Sequence, residues 1–133
     1  MTSPATDAMT ERAAQVDLDA CRTAAAAADA KLGADTVILD MADVLGITGA
    51  FVISSGQNDR QVRAIVEEVE QRLKERGGPA PDRIEGLDDA RWVLMDYGDF
   101  IVHVFLDEAR SFYDLEHLWS DVPRLTWGPS TTA

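Results

Sequence analysis

The sequence lacks the features of several common protein classes. One of its 133 residues is a cysteine, so the fold has no internal disulfide, which is typical of a reducing compartment. No run of about 18 apolar residues occurs, so no membrane-spanning helix is predicted. The first residues show no basic segment followed by an apolar stretch. We therefore expect no secretory signal and a cytoplasmic protein.

Motifs that carry chemistry are also missing. The sequence has no GxSxG, HExxH, CxxC or phosphate-binding P-loop. The two histidines, His103 and His117, lie on different predicted elements with no second group of ligands near them. We therefore predict no metal site and no cofactor. With neither a nucleophile nor an oxyanion donor in view, we do not expect an enzyme.

Basic residues are few. Twelve lysines and arginines stand against twenty-four aspartates and glutamates, which gives a net charge of −12. Phosphate backbones repel such a chain, and its basic residues do not cluster, so we expect little direct nucleic-acid binding. The acidity can serve solubility alone, or it can steer the protein toward a basic protein partner. The charge by itself does not decide between these two roles.

What is present is typical of one globular domain. Apolar residues make up 46% of the chain and charged residues 27%, and the length suffices for one hydrophobic core. Residues 1–10 are small and polar, which predicts a flexible N-terminus. We assign 11–122 to a single domain and 123–133 to a C-terminal tail. Leu125 and Trp127 could still dock on the domain.

The first half of the chain predicts two helices and two strands. One helix is expected over 11–32, ended by Gly33 as its C-cap, and a second helix ends at Gly77. Strands are expected at 36–41 and 51–54. The predicted buried stripes are Leu18, Cys21, Ala25, Ala28 and Leu32 in the first helix, and Val62, Ile65, Val66, Val69 and Leu73 in the second.

The segment Ser54–Asp59, which joins the second strand to the second helix, permits two interpretations. A loop of small residues at a helix N-terminus can bind an anion. Asn58 and Gln61 have capping-box spacing, which explains the same segment without a ligand. A nucleotide- or phosphate-binding enzyme that uses this loop is therefore kept as the alternative function.

Residues 92–105 form the strongest local pattern. Two β-like runs flank Gly98-Asp99, which predicts a hairpin whose two-residue turn fixes the register. Directly opposed residues share a face, so one face is nearly all apolar and is interpreted as core. The second face is either covered by the protein's own helices or offered to a partner. Its members are Trp92, Leu94, Asp96, Ile101, His103 and Phe105.

The remaining segments complete a mixed sheet. A short strand is expected at 83–85, and Ser111 and Asp114 have the spacing of a capping box that starts the last helix. A strand–helix–strand crossover implies parallel pairing, and the hairpin supplies antiparallel pairing. The predicted fold class is α/β, a mixed β-sheet flanked by helices.

Asp96 and His103 are diagonal neighbours on the second face in the predicted register. They can form an acid–base pair or belong to a partner-binding patch. They can also form a charge pair with a purely structural role, in which each side chain satisfies the other on the sheet surface. The sequence leaves these alternatives open.

Three blocks of sequence follow one another along the chain. They are Phe51-Val52-Ile53 with Ser55-Gly56, Arg60-Gln61 and Ala64-Ile65; Trp92-x-Leu94-x-Asp96-Tyr97-Gly98-Asp99 with Val102-His103-Val104-Phe105; and Arg110-x-Phe112-Tyr113-x-Leu115-Glu116-x-Leu118-Trp119. Together they resemble the ribosomal silencing factors, the Iojap-related proteins of bacteria and organelles. Gly49 and Ala50 stand where that family usually has an acid and an aromatic residue.

The resemblance implies a nucleotidyltransferase-like fold without that fold's catalytic residues. It implies a translational repressor that binds ribosomal protein number fourteen of the large subunit, blocks joining of the small subunit and forms a homodimer when free. A purely structural dimerising module is a further alternative. The predicted register places Tyr97 on the face opposite Asp96, so it could contact a partner only at the sheet end. The predicted partner-binding residues are Trp92, Leu94, Asp96, Tyr97, His103, Phe112, Tyr113 and Glu116.

Overall fold

A mixed β-sheet is the frame of the molecule. The computed structural model describes residues 17–41, 49–113 and 120–127, and of residues 112 and 113 it describes the backbone alone. Within these ranges the sheet has six strands in the order β3-β4-β5-β2-β1-β6. The elements are α1 (Leu18–Ala30), β1 (Ala34–Asp40), β2 (Ala50–Gly56), α2 (Asp59–Glu75), β3 (Arg83–Glu85), β4 (Trp92–Asp96), β5 (Phe100–Leu106), α3 (Asp107–Tyr113) and β6 (Arg124–Leu125).

The pairing of the strands confirms the predicted mixed sheet. β2 and β5 run parallel at its centre, and the other neighbouring strands run antiparallel. The hairpin of β4 and β5 has the predicted register from the pair Trp92 and Phe105 to the pair Asp96 and Ile101. Gly98 has the positive φ, +86°, that the turn requires.

Both long helices pack on one face of the sheet. The core between them contains the apolar hairpin face, and all five predicted stripe residues of α2 are buried there. Asn58 caps α2, because its Oδ1 accepts a hydrogen bond of 2.8 Å from the Gln61 amide. Burial raises the pKa of Cys21 in α1 to about 12, and the nearby Asp17 charge adds to this, so the thiol remains protonated and serves packing.

The end of α1 differs from the prediction. The helix ends at Ala30, and Leu32, expected on the buried stripe, is 81% exposed. That prediction was wrong because the chain leaves the helix before Leu32 and turns left-handed there, with φ +64°. Gly33 follows because any side chain there would collide with the Ser54 hydroxyl and the Ala28 carbonyl. Residues 11–16 lie outside the described residues.

The start of the last helix also differs from the prediction. α3 begins at Asp107, directly after β5, so Ser111 lies inside the helix and not at its N-cap. The capping-box spacing of Ser111 and Asp114 was therefore misleading. Asp107 and Glu108 place two acids in the first turn, where negative charge interacts favourably with the positive end of the helix dipole.

The segment after α3 adds an edge strand. Residues 124–125, in the predicted tail, pair with β1 as β6. Trp127 donates a hydrogen bond of 2.9 Å from Nε1 to the Thr36 carbonyl, and Arg22 donates one of 3.1 Å from Nε to the Thr126 carbonyl. Leu125 and Trp127 therefore dock on the domain, the alternative that the sequence left open.

We expect Leu32→Gly to raise the free energy of unfolding by about 1 kcal/mol, because glycine adopts the left-handed conformation without the penalty that leucine meets. Urea unfolding followed by circular dichroism measures this change. Gly33→Ala is the matched control at the next position, and it should destabilise because its Cβ meets Ser54 and Ala28. A loss of stability in Leu32→Gly, or none in Gly33→Ala, contradicts this account of the turn.

Candidate functional site

The second face of the hairpin is divided into a buried inner part and an open outer part. Phe105 and His103, on central β5, are buried. On β4 the side chain of Trp92 is 40% exposed, and Leu94 and Asp96 are half-buried. The inner part is therefore closed to solvent, and the outer part is accessible to it. We name the outer part, Trp92, Leu94 and Asp96, the Trp92 patch.

Aromatic rings fill the inner part. The His103 ring meets Phe51 edge-on, with 4.5 Å between ring centroids, and Trp92 lies 5.0 Å from Phe105. Leu39, Met41 and Ile53 belong to the same core cluster. Aromatic contacts of this kind add to the free energy of apolar burial, so the inner part is a second core under the patch.

A hydrogen bond joins the two parts. Trp92 donates from Nε1 to Nδ1 of His103 over 3.0 Å. Burial lowers the pKa of His103 to about 4, so the imidazole is neutral near pH 7 and its Nδ1 can accept. The bond fixes the plane of the indole ring while part of that ring stays open to solvent. His103 is therefore placed to orient Trp92 and not to transfer protons.

Asp96 has other partners than the sequence suggested. Its Oδ1 accepts a hydrogen bond of 2.9 Å from the Gly98 amide, and its Oδ2 lies 3.5 Å from Nε of Arg83. The Arg83 side chain is largely exposed, so solvent screens this ion pair. Asp96 thus stabilises the hairpin turn and keeps a carboxylate on the patch. An acid–base pair of Asp96 with His103 gains no support, because His103 is neutral and accepts from Trp92.

Tyr97 lies on the helix-covered face, as the register predicted. It packs against the core of that face and stacks on Phe100 with 5.0 Å between centroids. Burial raises the pKa of Tyr97 to about 12, and the charge of Glu70 adds to this effect. Tyr97 therefore does not share a surface with the Trp92 patch.

The predicted site residues beyond β5 are described in part. Phe112 and Tyr113 lie in α3, but their side chains are outside the described part of the structure. Glu116 lies outside the described residues, as does His117. The structure adds Arg110, which the sequence marked only as a motif residue. It is buried and donates to Oγ of Ser55 over 2.7 Å.

The loop proposed for anion binding is engaged internally. Ser54 and Ser55 are buried in β2, where Ser54 bonds to Thr36 over 2.8 Å and Ser55 accepts from Arg110. The Gln57 amide donates to Oε1 of Gln61 over 2.7 Å. These contacts favour helix capping over anion binding.

The described ranges contain neither a metal-binding cluster nor a membrane-spanning helix. No group of three or more histidine, cysteine, aspartate or glutamate side chains in them is placed to hold a metal ion. Among the helices of these ranges, none has the length and apolar character needed to cross a membrane.

Comparisons with known proteins agree with one another. A family model described as "Ribosomal silencing factor during starvation" matches residues 13–132. The chain is similar to "Ribosomal silencing factor RsfS" of Bacillus subtilis, with 44% identity over 102 residues, which cover 77% of this chain and 86% of that protein. A crystal structure from Bacillus halodurans has a TM-score of 0.67 at 38% identity and covers 78% of this chain and 93% of its own. One from Chromobacterium violaceum has a TM-score of 0.71 at 30% identity, with coverages of 85% and 92%.

The lowered pKa of His103 predicts how the free energy of unfolding changes with pH. Its folded value of about 4 lies below the ordinary 6.5, so the unfolded chain takes up the proton first as the pH falls. The stability that neutral His103 contributes is therefore complete above pH 6.5 and is lost between pH 6.5 and 4. His103→Gln keeps an acceptor for Trp92 but does not titrate. From pH 7 to pH 5 the wild type should lose about 2 kcal/mol more than this variant in urea unfolding. Equal losses would contradict a buried neutral histidine.

Proposed function

Because this chain belongs to the family of ribosomal silencing factors, we propose that it lowers translation by binding the large ribosomal subunit and blocking the small one. Its partner on the large subunit is ribosomal protein number fourteen, at the surface that meets the small subunit. The Trp92 patch forms the contact, together with the helix that carries Phe112 and Tyr113. The protein acts in the cytoplasm and is a homodimer when free.

The orientation of Trp92 is the observation that carries this proposal. Large exposed apolar side chains among the described residues are Leu32, Leu87 and Trp92, and Trp92 alone of these is aromatic. Its bond to His103 holds the ring in one plane before any partner arrives. A fixed aromatic anchor binds with little further loss of conformational entropy, as is typical of interface hot spots.

Charge favours a basic protein as the partner. The chain carries −12 overall, and Asp96 places a carboxylate within the patch, 23% exposed. Such a surface attracts a basic ribosomal protein and speeds encounter with it. The same charge repels bare RNA, so contacts with ribosomal RNA are secondary. Occlusion requires a rigid surface and no catalytic group, which agrees with the internal use of Ser54 and Ser55.

The direct test mixes purified small and large subunits with the protein and separates them by sedimentation. We expect the joined-ribosome peak to fall as protein is added, with protein recovered in the large-subunit fraction. Addition after the subunits have joined should have a smaller effect, because the contact surface is then covered. An unchanged peak at saturating protein contradicts occlusion.

Substitutions in the patch should weaken binding to the large subunit. We expect roughly a 30-fold loss of affinity for Trp92→Ala, the range of an aromatic hot spot. Asp96→Lys should cost roughly tenfold through charge reversal, and Asp96→Asn less because the amide oxygen still accepts from Gly98. Pelleting with large subunits measures these affinities.

Glu67→Lys is the matched control for the Asp96→Lys charge reversal. Glu67 is exposed on α2, on the opposite face of the sheet. Glu67→Lys should bind the large subunit within about twofold of wild type, since the change in net charge alone has a small effect. Equal losses for the lysine variants at positions 67 and 96 would show that total charge decides, against a contact at the patch. A changed mass of Asp96→Lys in solution, with binding intact, would instead place a self-interface there.

A further inference from the structure

Arg110 makes an unusual contact for a charged residue. Its side chain is 5% exposed, and Nη1 donates to Oγ of Ser55 over 2.7 Å and approaches the Ala34 carbonyl at 3.5 Å. A guanidinium loses several kcal/mol of hydration on burial, so it remains inside only where acceptors are placed for it. Its position is therefore specific.

The acceptors belong to the end of one strand pair. Ser55 and Ala34 are register partners across β2 and β1. Side chains alternate along β2, so Ser55 lies on the second face with Phe51 and Ile53. Arg110 therefore ties α3 to the face that also carries the Trp92 patch.

The start of α3 is fixed by its junction with β5 and by two buried side chains. The helix leaves β5 with no linker, and within its described part Ala109 and Arg110 are its buried residues. The orientation of the described part of α3 therefore follows from where these two residues are seated. The backbone that carries Phe112 and Tyr113 continues directly from that seat.

We propose that Arg110 is a positioning residue of the docking surface. Through Ser55 it sets the direction in which α3 carries residues 112 and 113 along the face of the sheet that also bears the Trp92 patch. This inference rests on the function proposed above. It assigns Arg110 no contact with the partner, since its guanidinium is turned into the fold.

The test compares Ser55→Ala and Arg110→Met with Ser54→Ala. Ser54 is also buried and also hydrogen-bonded, to Thr36, but it lies on the opposite side of β2. Thermal unfolding reports stability, and pelleting with large subunits reports affinity. We expect Ser55→Ala and Arg110→Met to weaken binding by roughly tenfold, the effect of losing a hydrogen bond to a charged group. Ser54→Ala should lower the melting temperature comparably and leave affinity within about twofold of wild type.

Two additional variants separate positioning from general destabilisation. The double variant of Ser55→Ala and Arg110→Met should bind as weakly as Arg110→Met alone, because Arg110→Met already removes the contact with Ser55. Arg110→Lys, which keeps a donor for Ser55, should recover part of the affinity. If Arg110→Met does not fold, Ser55→Ala and Arg110→Lys decide.

Three outcomes overturn the inference. Wild-type affinity in Ser55→Ala and Arg110→Met shows that α3 needs no such seat. An equal loss in Ser54→Ala shows that binding follows stability alone. Failure of the wild type itself to bind large subunits contradicts the proposed function. If the wild type binds and the variants bind equally well, only the role of Arg110 is contradicted.

Discussion

The parallel pairing of β2 with β5 is the constraint on which the rest of the structure depends. A parallel connection needs a crossover, and α2 supplies it on the face where α1 also packs. The opposite face therefore receives neither long helix. Its centre is closed by the rings of Phe51, His103 and Phe105, while its margin on β4 stays open. Both faces thus contribute to the core, and the margin on β4 is the part of the second face that remains accessible to solvent.

Sequence reasoning succeeded where local geometry leaves one solution. The two-residue turn at Gly98 fixes every pair of the hairpin, and the spacing of the apolar residues in α2 fits one helix face. It failed at helix ends. Leu32 fits the helical period, but α1 ends at Ala30 and Leu32 adopts a left-handed conformation, which periodicity does not reveal. Ser111 has capping spacing, yet β5 runs directly into α3.

The sequence predicted which hairpin residues share a face, but not which side chains form hydrogen bonds there. The register places His103 diagonal to both Asp96 and Trp92, and spacing cannot choose between them. Desolvation decides, because a neutral buried imidazole needs a donor at Nδ1 and the indole provides one. Arg110 escaped prediction because its acceptor, Ser55, is distant in sequence and the two meet only through the parallel pair.

A protein that acts by occupying a surface depends on how long it stays there. Among related complexes, affinity differences lie mostly in the dissociation rate, which improves when the contact residues are ordered before binding. An indole held by a buried histidine and a helix held by a buried arginine both place that ordering in the folding step. Both supporting side chains, His103 and Arg110, are buried beneath the proposed docking surface. Under the proposed function, substitutions that leave every contact residue in place are therefore still expected to shorten the lifetime of the complex.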